Sequence, residues 1–459
     1  MNLTKLALIA ITIATFAILP TRPLRADSPA GSSPKHPVFA HYMVCFATYG
    51  ENLAGYKRDI QDAQATGIDG FALNEGGWGT EAMYPRRTKL LFQAANELGT
   101  GFKLFFSLDF ATLKMTYVPE IIHTYVNDPA YYRYNNRPVV STFGGGGDWR
   151  TILDGYKAEG IDICFIPFFY PKPVTELPSY EVMQDMFAKW GGTVDGLFWF
   201  GATGGDEKLV EINTNYVKAA REAHKLVMSS YTPFYWGAYQ PGRRFFETHG
   251  GFGVEKQWKS IIANQPDFVE IVTWNDFNES YITPVDIAGT YESVVKTPVR
   301  HPHVGYTELA KYFIQWYKIG KEPKIDHDKL VYIYRVHPKA ATTAIAPPPA
   351  DNTAAPPAPK PDPRIVARVT DQHGVEDNLY VTTLLKSPAE LRVTTGGIET
   401  KYQAPKGYTS FAIPFNVGAQ HFALYRKGKL LTEIDGEPIV AEPTEYNFFP
   451  TTGVATATN

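Results

Sequence analysis

The sequence predicts an α/β protein: a (β/α)8 barrel followed by a small C-terminal antiparallel β domain of sandwich type. Three observations predict it. From His36 to about Lys318, short apolar runs bounded by turn residues alternate with amphipathic stretches of helical period. The alternation occurs eight times in about 280 residues, the length such a barrel needs. Beyond Lys318 the pattern changes to runs of period two, the mark of half-buried strands. An open doubly wound sheet is the alternative. It fits less well, because Val44-Cys45-Phe46-Ala47 stands after the first strand, where a Gly-rich phosphate loop would be needed.

The eight predicted barrel strands are Val38–Cys45, Gly70–Asn74, Lys103–Asp109, Pro138–Phe143, Ile163–Phe169, Gly196–Phe200, Leu226–Tyr231 and Phe268–Trp274. Helical patterns follow them, for example at Tyr56–Ala65, Arg87–Leu98, Glu207–His224 and Thr307–Tyr317. The glycine run Gly144–Gly147 lacks the Lys-Ser/Thr of a phosphate-binding loop and reads as a flexible active-site loop. The predicted strands of the β domain are Leu330–Val336, Leu379–Leu385, Ala389–Thr395, Thr409–Pro414, His421–Arg426 and Lys429–Ile434. Between the first two, Ala340–Pro363 is too rich in Ala and Pro to pack a core, and it reads as a disordered insertion, with a plain interdomain linker as the alternative. The domains are therefore a barrel over 36–320 and a β domain over 330–455.

Ahead of the barrel, Lys5 precedes the apolar run Leu6–Leu19 and a small-residue site ending at Ala26. The run is short for a membrane span, so 1–26 reads as a cleaved signal peptide and the protein as secreted or periplasmic. An uncleaved anchor is the alternative. The 459 residues carry a net charge of −3, and loss of Lys5, Arg22 and Arg25 with that segment leaves −6. That balance gives no footprint for nucleic acid or an acidic membrane and favours a neutral partner. Cys45 and Cys164, the only two cysteines, lie in apolar runs and read as buried free thiols.

In such a barrel the reacting groups come from the C-terminal ends of the strands. Those ends supply His41, then Asn74 and Glu75, then Asp109, Tyr170, Trp199 and Tyr231. The eighth is richest, with Trp274, Asn275, Asp276 and Glu279 in one short segment. Two carboxyls three residues apart among Trp, Asn and Tyr can face one cleft in different environments, as glycoside hydrolysis requires of an acid and a base. A solvated loop in which Asp276 caps a turn is the plain alternative. Asp109 ends an apolar run and must be paired or face the cleft; Glu75 is its rival. Trp78 and Trp236 join Tyr170, Trp199 and Tyr231 as possible stacking platforms. Asp69, Asp162 and Asp195 precede strands and belong to turns at the barrel bottom.

Four segments in order resemble glycoside hydrolase family 71, the α-1,3-glucanases or mutanases. They are Val38–Val44, Gly67–Asn74, Phe102–Phe110 and Glu270–Asp276. Where the family has Tyr and Gly between its strand-eight acids, this chain has Phe277 and Asn278. The resemblance implies endo-hydrolysis of α-1,3-glucan with inversion and without metal or other cofactor. It implies Asp276 and Glu279 as the catalytic pair, with Glu279 as acid and Asp276 as base by analogy with related barrels, or the roles exchanged. His41, Asn74, Asp109, Tyr170, Trp199, Tyr231, Trp274 and Asn275 are the expected substrate contacts. Two other functions suit the same barrel: hydrolysis of another extracellular polysaccharide such as α-mannan, and carbohydrate binding without turnover.

Overall fold

A computed structural model describes residues 36–458, apart from 146, 173–176, 238–243, 285–300, 342–371 and 444–446. Residues 1–26, read from the sequence as a signal peptide, and most of the Ala/Pro-rich stretch lie outside the described residues.

The apolar runs form strands because their side chains are buried on both faces, and the amphipathic stretches form the helices that cover them. In chain order the units are β1 (Val38–Met43), α1 (Leu53–Thr66), β2 (Gly70–Glu75), α2 (Met83–Leu98), β3 (Lys103–Asp109) and α3 (Val118–Tyr125). They continue with β4 (Arg137–Phe143), α4 (Trp149–Ala158), β5 (Cys164–Phe165), α5 (Tyr180–Trp190), β6 (Gly196–Phe198) and α6 (Asp206–Glu222). The last units are β7 (Leu226–Tyr231), α7 (Gly251–Asn264), β8 (Phe268–Ile271) and α8 (Val304–Ile319). The strands pair in parallel in the order β5-β4-β3-β2-β1-β8-β7-β6, so the first and last are neighbours and the sheet curls. Between the outer strands run two backbone hydrogen bonds, Asp195 N–H to Phe165 O and Phe198 N–H to Pro167 O, each 2.9 Å. The fifth strand is much shorter than expected, because Pro167 has no N–H to give the ladder.

Acids at the strand starts lock the bottom of the sheet. Asp69 accepts the Val38 N–H at 2.8 Å and the Lys318 ammonium at 2.6 Å. Asp195 accepts the Phe165 N–H at 2.9 Å and a bidentate Arg137, and Asp267 accepts the Val227 N–H at 3.0 Å. Each carboxylate satisfies a strand-end donor that would otherwise be orphaned.

The helix α1 starts on Asn52, whose side chain accepts the Gly55 N–H, and stops at Gly67, where φ of 98° requires glycine. Its buried stripe includes Asp59, which accepts hydrogen bonds from Trp274 Nε1 and Tyr42 Oη, both at 2.9 Å. Burial pushes the Asp59 carboxyl up to about 7, despite the hydrogen bonds that favour its charge. The folded state therefore holds a proton on Asp59 that the unfolded chain releases near 4. The stability this proton confers is complete below pH 4 and is lost as pH rises towards 7, on the order of a few kcal/mol. An Asp59→Asn variant, compared with the parent by denaturant melts from pH 4 to 8, is expected to lose that part of the decline. Equal slopes would contradict the assignment.

After α8 come β9 (Lys329–Arg335), β10 (Asn378–Leu385), β11 (Ala389–Thr395), β12 (Ile398–Ala404), β13 (Gly407–Pro414), β14 (Gly418–Arg426), β15 (Lys429–Ile439) and β16 (Pro450–Thr456). They form two four-stranded antiparallel sheets, β13-β10-β9-β16 and β12-β11-β14-β15. Leu330, Val381, Leu391 and Phe422 from both sheets share one hydrophobic cluster. The first sheet meets α8 closely: a Cβ on Gly305 would lie 2.9 Å from Thr452 Cβ.

Candidate active site

A cavity of about 350 Å³ opens at the C-terminal ends of the parallel strands. Its polar lining is His41 from β1, Asn74 from β2, Asp109 from β3, and Asp276 with Glu279 from the hairpin after β8. Its aromatic wall is Phe143, Phe168, Tyr170, Trp199 and Phe200. Tyr170 stands on the rim, 46% exposed, with its ring held edge-on by Phe168 at 5.0 Å and Phe143 at 5.8 Å.

The acids sit on a tight hairpin whose strands pair Asn275 with Tyr281 and Asp276 with Ser280. Thr273 pins it, its Oγ1 accepting the Asp276 N–H and donating to Ser280 O, both at 2.6 Å. The turn closes with Glu279 N–H on Asp276 O at 3.1 Å, while Asp276 Oδ1 accepts the Asn278 N–H at 3.1 Å. Phe277 is fully buried against Tyr281, centroids 5.1 Å apart, and anchors the loop from below. Trp236 N–H donates to Glu279 O at 2.9 Å. The neighbouring Tyr235 donates its phenol proton to the Glu279 side chain; burial, then that carboxylate, hold the phenol far above its usual range. Arg244 lies over the Tyr235 ring at 5.8 Å and also lines the cavity. On its far side Asp276 faces Cys45, whose thiol is pushed up to about 12 by burial and then by the Asp276 charge. This thiol is inert, as is Cys164, pushed up to about 12 mainly by burial.

Asp109, Asn74 and His41 form a chain along the cavity floor. Asn74 Nδ2 lies 3.2 Å from Asp109 Oδ2 and 3.2 Å from His41 Nε2. Asp109 Oδ1 accepts the Ala111 N–H at 3.0 Å.

Seven of the ten expected residues thus come together: His41, Asn74, Asp109, Tyr170, Trp199, Asp276 and Glu279. Three do not. Tyr231 is buried with its ring 5.4 Å from Trp258 of α7, because it alternates with inward-facing neighbours and points to the helix layer. Trp274 likewise turns outward, packing on Phe71 at 5.7 Å and donating to Asp59. Asn275 is spent on backbone: its Oδ1 accepts the Met43 N–H at 2.7 Å and its Nδ2 donates to Phe46 O at 2.9 Å. Glu75 is no rival of Asp109. It is wholly buried and accepts Thr88 Oγ1 of α2 at 2.5 Å, and burial raises its carboxyl well above the usual range. Trp78 and Trp236 are also buried, the latter against Phe449 at 4.5 Å. Asp148 caps α4 through the Thr151 N–H. Gly144, at φ of 67°, lets the chain pass beside Tyr170, whose ring would lie 3.3 Å from a Cβ there. Tyr235 and Arg244 were not among the expected contacts; they come from the long β7–α7 connection, which has no periodic pattern.

A wider cleft of about 740 Å³ runs between α6, α7 and β10. Its two buried acids are both committed, Asp206 to ion pairs with Lys256 at 3.1 Å and His249 at 3.5 Å, and Glu247 to the Glu376 N–H at 2.8 Å and to Arg335 at 3.9 Å. Among the described residues no cluster of His, Cys, Asp and Glu could hold a metal ion, and no helix is long and apolar enough to cross a membrane.

Residues 34–459 match the profile of Glycosyl hydrolase family 71. A glucan endo-1,3-alpha-glucosidase of Schizosaccharomyces pombe is 27% identical over 437 residues, 91% of this chain and 94% of that protein. A mutanase of Penicillium rubens is 28% identical over 433 residues, 90% of this chain and 87% of that protein. An ascus wall endo-1,3-alpha-glucanase of S. pombe is 27% identical over 387 residues, 79% of this chain and 82% of that protein.

Proposed function

The chain belongs to glycosyl hydrolase family 71, and on that footing we propose that this glycoside hydrolase cleaves α-1,3-glucan within the chain, with inversion, through Asp276 and Glu279. The observation that carries the reading is the hairpin that brings both carboxyls to one cavity at the strand ends, beside an aromatic wall. Glu279 gives its proton to the glycosidic oxygen as the C–O bond breaks. Asp276 takes a proton from water attacking the anomeric carbon from the opposite face. Asp109, His41 and Asn74 hold sugar hydroxyls, while Tyr170 and Trp199 supply faces for the rings. The scheme calls on no metal or cofactor. The bonds between the outer strands support closure of the curled sheet into an eight-stranded barrel, and the shared core supports a C-terminal sandwich. The N-terminal apolar run and the ascus wall named for one relative support secretion after removal of 1–26.

The test is incubation of the protein with insoluble α-1,3-glucan beside α-1,4- and α-1,6-glucans and α-mannan, with and without a chelator, sizing the released oligosaccharides. Oligosaccharides from α-1,3-glucan alone, unaffected by the chelator, are expected. Release only from another polymer would overturn the substrate assignment.

Tyr235→Phe probes the acid. It removes a donor to a charged group, so kcat/KM is expected to fall about tenfold or more. The alkaline limb of the pH profile is expected to move upward, because the ionised form of Glu279 has lost a partner. An unmoved limb would separate Tyr235 from the acid.

A further inference from the structure

The acid–base pair leaves one buried ionisable group of the barrel interior unused. Glu270 lies on β8, fully buried, and its Oε1 is 2.8 Å from His41 Nδ1. No partner is found for its Oε2 among the described residues. Such a group is costly to keep inside a sheet unless it orders something.

The hydrogen-bond directions along the floor follow from chemistry. A carboxylate only accepts, so the atom that Asn74 presents to Asp109 Oδ2 is its amide nitrogen. That same nitrogen faces His41 Nε2, so Nε2 must accept the second amide hydrogen. The imidazole proton then sits on Nδ1 and is donated to Glu270 Oε1. The Phe200 ring, 4.9 Å away and edge-on, closes the remaining side of the imidazole. Direction is thus passed from the barrel interior to the cavity: Glu270 accepts from His41, which accepts from Asn74, whose other hydrogen goes to Asp109.

We propose that Glu270 is a positioning residue for Asp109, holding His41 in the Nδ1–H tautomer so that the Asn74 amide must present its nitrogen, and so its donors, to the cavity floor. The proposal rests on the reading of Asp109 as a substrate contact. Were the proton on Nε2 instead, Asn74 would have to turn its oxygen to His41. Its amide hydrogens would then leave that face, and Asp109 would lose the donor that sets Oδ2 toward sugar hydroxyls.

Two measurements decide it. In the parent protein labelled with 15N-histidine, the His41 signals, assigned by loss in His41→Asn, are expected to show a protonated Nδ1 and an unprotonated Nε2. A protonated Nε2 would overturn the proposal whether or not any variant folds and whatever the substrate proves to be. The second is a double-mutant cycle on a soluble α-1,3-linked oligosaccharide. Glu270→Gln is expected to lower kcat/KM about tenfold, and the loss in Glu270→Gln with Asp109→Asn to equal that of Asp109→Asn alone. Fully additive losses would mean that Glu270 does not act through Asp109. If the parent releases nothing from the oligosaccharide, the functional assignment fails, while the tautomer measurement still decides this one.

Discussion

Glu279→Gln and Asp276→Asn are each expected to cut turnover on α-1,3-glucan by about 10²–10⁴-fold, while binding of the polysaccharide stays close to that of the parent. Both changes keep the size of the side chain and the backbone hydrogen bonds of the hairpin, including Glu279 N–H on Asp276 O. What they remove is proton transfer, an interaction made in the transition state, so the loss falls on kcat rather than on uniform binding. The two variants are told apart by leaving group. A glycosyl fluoride departs with little protonation, so Glu279→Gln is expected to recover most of its rate on it, whereas Asp276→Asn, without its base, is not. Recovery by Asp276→Asn alone would exchange the two roles. Near-normal turnover by both on α-1,3-glucan would remove the hairpin from the chemistry, leaving Asp109 as the remaining acid of the cavity.

The second large effect is on stability. Trp274→Ala is expected to cost about 3–5 kcal/mol, since it deletes a fully buried indole and leaves a cavity beside Phe71. It also takes from Asp59 one of its donors in the interior. Tyr170→Ala, on the half-exposed rim, is expected to leave the denaturant midpoint within about 0.5 kcal/mol of the parent and to act on KM. The comparison separates two aromatic residues that look alike in the sequence. A Trp274→Ala protein of parental stability with a raised KM would return that residue to the cavity.

Most of the architecture was legible because strands and helices announce themselves by period, and eight alternations suggest a curled sheet with its first and last strands adjacent. The harder matter was which way each side chain points. Asn74 and Glu75 are consecutive on a strand and cannot both face the interior. Asn74 does, through His41 and Asp109, and Glu75 goes to the helix layer with Thr88. The same parity places Tyr231 outside, because its neighbour Ser230 pairs with inward-facing Glu270. Trp274 and Asn275 lie past the regular end of β8, where alternation gives no guide. Glu270 was not singled out from the sequence, although an acid inside an apolar strand is a signal that burial makes informative. Tyr235 could be read only as an aromatic beyond the seventh strand, and Arg244 not at all, since a long connection carries no periodic record of what it folds back upon.

The central claim, that Asp276 and Glu279 work as an inverting pair on α-1,3-glucan, is tested most directly by the anomeric configuration of the first product. Proton NMR of a soluble α-1,3-linked oligosaccharide, followed from the first minute after addition of the protein, reads the new reducing end before mutarotation. Attack by water opposite the leaving oxygen predicts that the β-anomer appears first and the α-anomer grows in later. An α-anomer formed first would mean a covalent glycosyl intermediate and would contradict the account.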